Sequence, residues 1–191
     1  MSRFMQEWPR RHRITVDHYY RMAEAGLFEE DARVELIEGE IVDMPPIGSR
    51  HAGKASRLAD LLAEDIGGRA IVRTQWPVRL SDDSEVQPDI AVVKLRDDYY
   101  ESRHPTAADV LLLIEVSDAT LRHDRDFKAP LYARCGIPEL WIVDLQADLI
   151  HFHSVPVAGR YTAVSSSATP GVVGIAALPG VDFDLGTLFA G

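Results

Sequence analysis

Hydrophobic residues recur along the chain at two spacings, one typical of helices and one typical of strands. Between residues 49 and 66 the apolar positions lie three or four residues apart, which predicts a helix with one buried face. Ser49 is its predicted N-cap, and two glycines follow its last residue. Shorter helices are predicted over residues 15–25 and 124–134. The buried face of the long helix is predicted to consist of Ala55, Leu58, Ala59, Leu62 and Ile66.

Other segments have the apolar patterns of strands. RVELIEGEIVDM, residues 33–44, predicts two strands that turn at residues 38–40, where Gly39 allows an unusual backbone conformation. VLLLIEV, residues 110–116, is apolar on both faces, which is typical of a central strand covered on each side. Strands interleaved with helices predict an α/β fold with a mixed central sheet flanked by helices. Further strands are predicted over residues 70–80, 86–93, 139–144 and 149–155, and residues 160–164 are another candidate.

The composition is that of a folded protein. The chain has 191 residues, of which 46% are hydrophobic and 26% charged, enough for one domain with its own core. Without internal repeats, residues 1–191 are predicted to form a single domain. The N-terminal segment is basic and interrupted by Pro9, and no apolar run is long enough to span a bilayer. We therefore expect a cytoplasmic protein that does not bind a membrane, and the lone Cys135 fits a reducing compartment.

The formal net charge of −10 argues against a protein that coats nucleic acid, since its field would repel phosphate. Net charge does not reveal where charges lie, and acidic enzymes bind polyanions through metal ions and a few clustered basic residues. Arg50, Lys54 and Arg57 form such a row on the long predicted helix. The row is either a solvated face or a surface for a phosphate backbone.

Carboxylates interrupt two of the apolar strand segments. Side chains alternate along a strand, so Glu115 lies near the C-terminal end of its strand and faces a helix layer. Asp89 follows Pro88 near the start of a second apolar segment. If the two strands are neighbours, two carboxylates converge, and they resist burial unless a cation joins them. Mg²⁺ is suited to this role, because it binds one or two carboxylates together with water and phosphate oxygens.

A lysine on the next predicted helix completes this candidate site. Asp124, Lys128 and Tyr132 are spaced by four residues and therefore lie along one helix face. The ammonium group of Lys128 could orient or deprotonate an attacking water and stabilise developing negative charge. The alternative is a purely structural ion pair between Lys128 and a nearby acid.

Four segments resemble the Uma-two family of the PD-(D/E)xK restriction-endonuclease-like superfamily. They are ELIEGEIVDMPPIGSRH, QPDIAVV, LLLIEVSDAT and DFKAPLYARCGIPELWIVD. The resemblance runs from about residue 15 to residue 188 and implies a restriction-endonuclease-like core, in which Asp89 and Glu115 bind Mg²⁺ or Mn²⁺. The superfamily usually has a lysine two residues after the second acid, where this chain has Ser117. The resemblance therefore implies Lys128 as its spatial replacement, on a helix that Pro130 forces to start late or to bend.

Two more residues are candidates through the same resemblance. Glu35 resembles the family's early acidic residue and would bind a second metal or a water, although an exposed acid on a hairpin fits the pattern equally well. His51 has counterparts in relatives, and the alternative role is packing at the start of a helix. Trp76 and Trp141 are interpreted as core or dimer-contact aromatics. The last pair of interest, His151 and His153, is interpreted as surface residues without zinc.

The sequence thus predicts a Mg²⁺- or Mn²⁺-dependent endonuclease that hydrolyses phosphodiester bonds, with DNA as its substrate. Asp89 and Glu115 are its predicted metal ligands, Lys128 assists the water, and Glu35 supports them. Two alternatives stay open: a non-catalytic or regulatory binding protein that retains the nuclease-like fold, and a hydrolase of small phosphoesters with the same site. Proteins of this fold often pair, so a homodimer is also predicted.

Overall fold

A computed structural model describes residues 11–29, 31–186 and 188–189. Most of the basic N-terminal segment, including Pro9, lies outside the described residues. The helices are α1 (Val16–Glu24), α2 (Ser49–Ile66), α3 (Leu121–His123) and α4 (Ala129–Arg134). The strands are β1 (Val34–Ile37), β2 (Glu40–Asp43), β3 (Ala70–Thr74), β4 (Val78–Ser81), β5 (Ser84–Val86), β6 (Ile90–Lys94), β7 (Val110–Ser117), β8 (Glu139–Asp144), β9 (Leu149–Val157), β10 (Arg160–Ser167), β11 (Val172–Gly174) and β12 (Asp182–Asp184).

The central sheet has six strands in the order β10-β9-β8-β7-β6-β3. β7 and β8 are parallel, and the other neighbouring pairs are antiparallel, so the predicted mixed sheet is confirmed. A second sheet of four strands has the order β2-β1-β5-β4, and β11 pairs with β12. α2 leads the chain from β2 in the second sheet to β3 in the central sheet, and two direct crossings then join these sheets, from β3 to β4 and from β5 to β6. These two crossings lie next to each other, because the N–H of Gln75 donates to the carbonyls of Pro88 and Asp89.

Apolar side chains cover both faces of the central sheet, as the uninterrupted β7 pattern predicts. On one face β7 contributes Leu112, Ile114 and Val116 to a core that also contains the apolar stripe of α2. The five residues of that stripe are the predicted ones. On the other face Leu113 packs with residues of α4, including Leu131. Glu115 points to this second face, toward the helical layer.

Three details of the predicted elements are wrong. The predicted strand over residues 70–80 is two strands in different sheets, because Gln75 has a φ of 55° that turns the chain between them. The predicted strand over residues 86–93 is likewise interrupted between β5 and β6. The N-cap of α2 is Gly48, so Ser49 is its first helical residue. Each break occurs where the chain passes from one sheet to another, which an apolar pattern does not reveal.

The helical segment that carries Lys128 widens before Pro130. A π-helical turn, Asp124–Lys128, joins α3 to α4, and the N–H of Ala129 donates to the carbonyl of Asp124, five residues earlier. Pro130 lies in the first turn of α4 and has no amide hydrogen to donate. The prediction of a late start or a bend near Lys128 is therefore confirmed. In the part of the chain that the structure describes, no helix is long and apolar enough to cross a membrane.

Candidate active site

Asp89 and Glu115 lie side by side on the central sheet. β6 and β7 are antiparallel with Ile90 opposite Ile114, so Asp89, which directly precedes β6, comes level with Glu115. Oδ2 of Asp89 accepts a hydrogen bond of 2.8 Å from the backbone N–H of Val116. Both carboxylates line one cavity of about 230 Å³. The structure thus brings together the two acids that the sequence predicts to converge.

Lys128 contacts Glu115 and Glu35 at once. Its Nζ lies 3.2 Å from Glu115 Oε1 and 3.1 Å from each carboxylate oxygen of Glu35. The side chain of Lys128 is 1% exposed, and those of Glu35 and Glu115 are 0% and 4% exposed. The ammonium group is therefore held between two buried carboxylates, and the same lysine lines the cavity beside Asp89.

The helix face predicted from the four-residue spacing points into this site. Asp124, Lys128 and Tyr132 are all buried. Oδ2 of Asp124 accepts hydrogen bonds of 2.7 Å from the hydroxyls of Ser117 and Thr120, which fixes the start of the π-helical turn. The hydroxyl of Tyr132 donates to Oε1 of Glu115, the oxygen that also contacts Lys128. Tyr132 thus belongs to the site, although the sequence indicates it only through its spacing.

Glu35 is buried in the second sheet, which makes its interpretation as an exposed hairpin acid wrong. β1 pairs with β2 on one side and with β5 on the other, so it is an interior strand of this sheet. Oε1 of Glu35 accepts a hydrogen bond of 2.7 Å from the N–H of Gln87 and another from Lys128. Oε2 is buried and, among the described residues, has no partner in hydrogen-bonding geometry.

His51 belongs to the site through Asp89. It lies in the first turn of α2, and its Nε2 is 2.8 Å from Oδ1 of Asp89. The amide of Gln75 reaches the same oxygen at 3.5 Å. The alternative role of His51, packing at the start of the helix, does not account for this contact with Asp89. The sequence offered no signal for this pair, since 38 residues separate the two side chains along the chain.

Burial and charge act together on the titration of the cluster. Burial, with Asp124, Asp89 and Glu35 nearby, raises the pKa of Glu115 to about 8, although Lys128 opposes this rise. Burial alone would lower the pKa of Lys128, but the carboxylates of Glu115, Glu35 and Asp124 raise it above its ordinary value. Glu115, Glu35 and Asp124 thus act on one lysine, with Asp89 close to Glu115, and the site has more acidic groups than basic ones, an imbalance that a cation would neutralise.

The donor set suits a hard divalent cation. Asp89 and Glu115 offer carboxylate oxygens at the cavity wall, which Mg²⁺ and Mn²⁺ prefer to sulfur or imidazole ligands. Within residues 11–29, 31–186 and 188–189, no group of three or more His, Cys, Asp or Glu side chains is arranged to hold a metal ion. Mg²⁺ binds through one or two carboxylates and keeps several waters, so two protein ligands are sufficient for it. The residues present therefore fit such an ion, and Oε2 of Glu35, which makes no hydrogen bond among the described residues, is one further acceptor nearby.

The remaining candidates lie away from this cluster. Arg50 pairs with Asp148 at 2.9 Å, and Lys54 donates to the carbonyl of Leu188, so two members of the basic row contact the protein itself. Trp141 is a core residue as predicted, with 2% exposure, whereas Trp76 is 58% exposed and is not in the core.

His151 and His153 are only partly exposed, so their interpretation as surface residues holds in part. Nδ1 of His151 lies 2.7 Å from the hydroxyl of Ser166, on the neighbouring strand β10. Burial lowers the pKa of His153, whose ring packs against Tyr161. Both side chains thus belong to the packing between the C-terminal strands.

Comparison with known proteins agrees with these observations. The model of the Uma2 family, described as "putative restriction endonuclease", matches residues 16–186. A solved structure from Anabaena variabilis ATCC 29413, described as a "putative nuclease belonging to DUF820", is similar with a TM-score of 0.68. The two chains are 16% identical, and the match covers 92% of this chain and 97% of that chain. This likeness shows a restriction-endonuclease-like fold. No curated protein matches the chain.

Proposed function

The chain belongs to the Uma2 family, and from this premise we propose that it is a divalent-metal-dependent nuclease that hydrolyses phosphodiester bonds in DNA. The observation that carries the proposal is the convergence of Asp89, Glu115 and Lys128 on one cavity. In this proposal Asp89 and Glu115 are the metal ligands, and the ammonium group of Lys128 lies beside them. DNA is the substrate that the description of the family suggests.

Asp89 and Glu115 would hold Mg²⁺ or Mn²⁺, which when bound supplies Lewis-acid activation of a water and of the phosphate. Contacts within the protein orient the carboxylates of both Asp89 and Glu115. The N–H of Val116 and the ring of His51 each contact one oxygen of Asp89, while Tyr132 and Lys128 contact one oxygen of Glu115. Such fixed orientation of ligand carboxylates strengthens metal binding.

Lys128 acts in this proposal as an ammonium group. Its raised pKa keeps it protonated at neutral pH, so it is a poor base for the attacking water. A protonated amine can donate to a phosphate oxygen and stabilise the negative charge that develops there. Of the two roles predicted for Lys128, we therefore propose orientation and charge stabilisation, and not deprotonation.

Glu35 is a positioning residue in this proposal. It contacts Lys128 and is itself held by the N–H of Gln87. Because both Glu35 and Glu115 attract the ammonium group, it stays at the cavity wall and does not turn toward solvent. Removal of the Glu35 charge should therefore weaken catalysis through Lys128.

Nicking of a supercoiled plasmid with Mn²⁺ tests the proposal. Glu115→Gln removes a proposed metal ligand and Lys128→Met removes the ammonium group, and we expect nicking to fall by about 100-fold or more, the usual size of such electrostatic effects. Asp148→Asn is the matched control, because it neutralises an acid that pairs with Arg50. The control should nick like the wild type. Equal nicking by the wild type and both site variants would refute a catalytic role for this cavity.

The leading alternative, a non-catalytic binding protein with this fold, gives a different result in the same experiment. It predicts DNA binding that does not depend on a divalent ion, together with no nicking by the wild type. Binding measured with Ca²⁺ and again with EDTA separates the two functions, since a metal-dependent site should bind DNA more tightly with Ca²⁺.

A further inference from the structure

Two large aromatic side chains are exposed at one edge of the central sheet. Trp76 is 58% exposed, and Tyr99 is 64% exposed. Trp76 follows β3, the edge strand, and Tyr99 follows β6, its neighbour. Exposed rings of this size have a cost in water, so a pair of them at one edge suggests a ligand.

An arginine joins these aromatic residues. The guanidinium carbon of Arg73 lies 5.8 Å from the ring centroid of Trp76 and 5.8 Å from that of Tyr100, and Nη1 of Arg73 donates to the carbonyl of Tyr99. Its Nε is buried and has no hydrogen-bond partner among the described residues. Within the same residues it forms no ion pair. We call Arg73, Trp76, Tyr99 and Tyr100 the aromatic platform.

The aromatic platform lies next to the candidate active site. Arg73 is opposite Ala91 in the β3–β6 register, two residues along the chain from Asp89. Gln75, which directly precedes Trp76, donates its N–H to the carbonyl of Asp89 and its side-chain amide to Oδ1 of Asp89. A chain bound at Asp89 could therefore extend over Trp76.

The backbone holds the aromatic platform in a defined shape. Gln75, Tyr99 and Tyr100 have φ values of 55°, 47° and 66°, which non-glycine residues adopt at a cost. Hydrogen bonds maintain this arrangement: the hydroxyl of Tyr100 donates to the carbonyl of Lys94 at 2.9 Å, and its N–H donates to Asp98. With both residues in the left-handed backbone conformation, the side chain of Tyr100 points inward and is 5% exposed, whereas that of Tyr99 points outward. Such strain is typical of functional positions.

We propose that the aromatic platform binds unpaired bases of a single-stranded nucleic acid beside the cleavage site, and this inference rests on the proposed nuclease function. Exposed rings next to a cation bind single strands by stacking on bases, while the guanidinium attracts the phosphate backbone. In a duplex the bases already stack on each other and leave no free face for Trp76. The substrate class is therefore nucleic acid that is single-stranded, or locally unpaired, next to the scissile phosphate.

The test is the affinity of the full chain for a fluorescently labelled oligothymidylate and for a duplex of equal length, measured by anisotropy with Ca²⁺. The wild type should bind the single strand more tightly. Trp76→Ala should weaken single-strand binding about tenfold, the usual effect of losing one stacked base, and leave duplex binding unchanged. Leu27→Ala is the matched control, because Leu27 is 66% exposed and lies outside the aromatic platform. It should bind like the wild type.

Four results would overturn the inference. The first three are equal affinity of Trp76→Ala and wild type for the single strand, equal loss of affinity in Leu27→Ala, and tighter binding of duplex than of single strand. A fourth is loss of self-association in Trp76→Ala without loss of DNA binding, which would make Trp76 the predicted dimer contact. Binding is measured under conditions without cleavage. The experiments can therefore refute the nuclease function and base binding by the aromatic platform independently of each other. Stacking without nicking would refute only the nuclease function, and nicking that is independent of Trp76 would refute only the aromatic platform.

Discussion

On folding, Lys128 loses its contacts with water and gains contacts with Glu35 and Glu115, which lose theirs as well. Burial of three ionisable groups costs more free energy than one contact returns, so such a cluster is stable only while it is complete. Removing the lysine leaves two buried acids facing each other without a cation. The acids then either repel or take up protons.

Lys128→Met should therefore lower the free energy of unfolding by about 3–5 kcal/mol, the usual cost of breaking a buried ion pair from one side. Lys94→Met is the control, since Lys94 is exposed and donates to the carbonyl of Ala108. Its effect should stay below about 1 kcal/mol. Urea unfolding measures both. A loss in Lys128→Met as small as that of the control would show that the cluster is not buried as described.

Glu115 makes the stability of the metal-free protein depend on pH. Its pKa is raised from 4.5 to about 8 in the folded chain, so the folded state binds a proton that the unfolded state has released. The associated stability is fully present below about pH 4.5 and is lost as pH rises through about 8. We expect the unfolding temperature in EDTA to fall by at least about 2 °C between neutral and mildly alkaline pH, which corresponds to roughly 1 kcal/mol. Glu115→Gln should fall less, and an equal fall in both proteins would contradict this account.

The individual site residues were predictable to different degrees. Asp89, Glu115 and Lys128 follow from strand alternation and helical spacing, because each pattern fixes the face on which a side chain lies. The contact between Glu35 and Lys128 joins residues 93 positions apart, and no periodicity within a short segment can reveal it. His51 and Asp89 are likewise far apart along the chain, so periodicity cannot reveal their contact either. Short-range patterns thus predict the faces of elements, and the partners follow only from the packing of elements.

At the scale of elements, regular segments were predicted better than their junctions. The stripe of α2 was predicted because its five apolar positions obey one period over eighteen residues. The break between β3 and β4 was missed because Gln75 is not a residue type that signals a positive φ. The turn of the β1–β2 hairpin was predicted, since a glycine marks it.

This hairpin carries Glu35 and depends on Gly39. Gly39 has a φ of 77°, and a Cβ there would lie 2.5 Å from Cβ of Arg13. Gly39→Ala should therefore lower the unfolding free energy by more than about 1 kcal/mol. Gly53→Ala is the matched control: it lies inside α2 with open space around its Cβ position, and alanine should stabilise it by about 0.5–1 kcal/mol. Effects of the same sign in calorimetry would contradict this description of the hairpin.

At the scale of the whole molecule, the charge of −10 makes DNA binding depend on local features. The proposed function supplies two of them, a divalent cation between acids and the ammonium group of Lys128, while the aromatic platform supplies a third. The composition alone could not locate these three features, because a net charge does not show where the charged groups lie on the surface.

The homodimer stays a prediction, which is based on the tendency of proteins of this fold to pair. Sedimentation equilibrium at micromolar concentration should give the mass of two chains. The mass of a single chain would contradict it.

Diffraction from crystals soaked in Mn²⁺, with anomalous scattering, tests the central claim most directly. The account predicts one anomalous peak in contact with the carboxylates of both Asp89 and Glu115, with Nζ of Lys128 beside it. Asp89→Asn crystals soaked in the same way should lose the peak. Absence of a peak at this position in the wild type, or a peak that touches neither acid, would contradict the account.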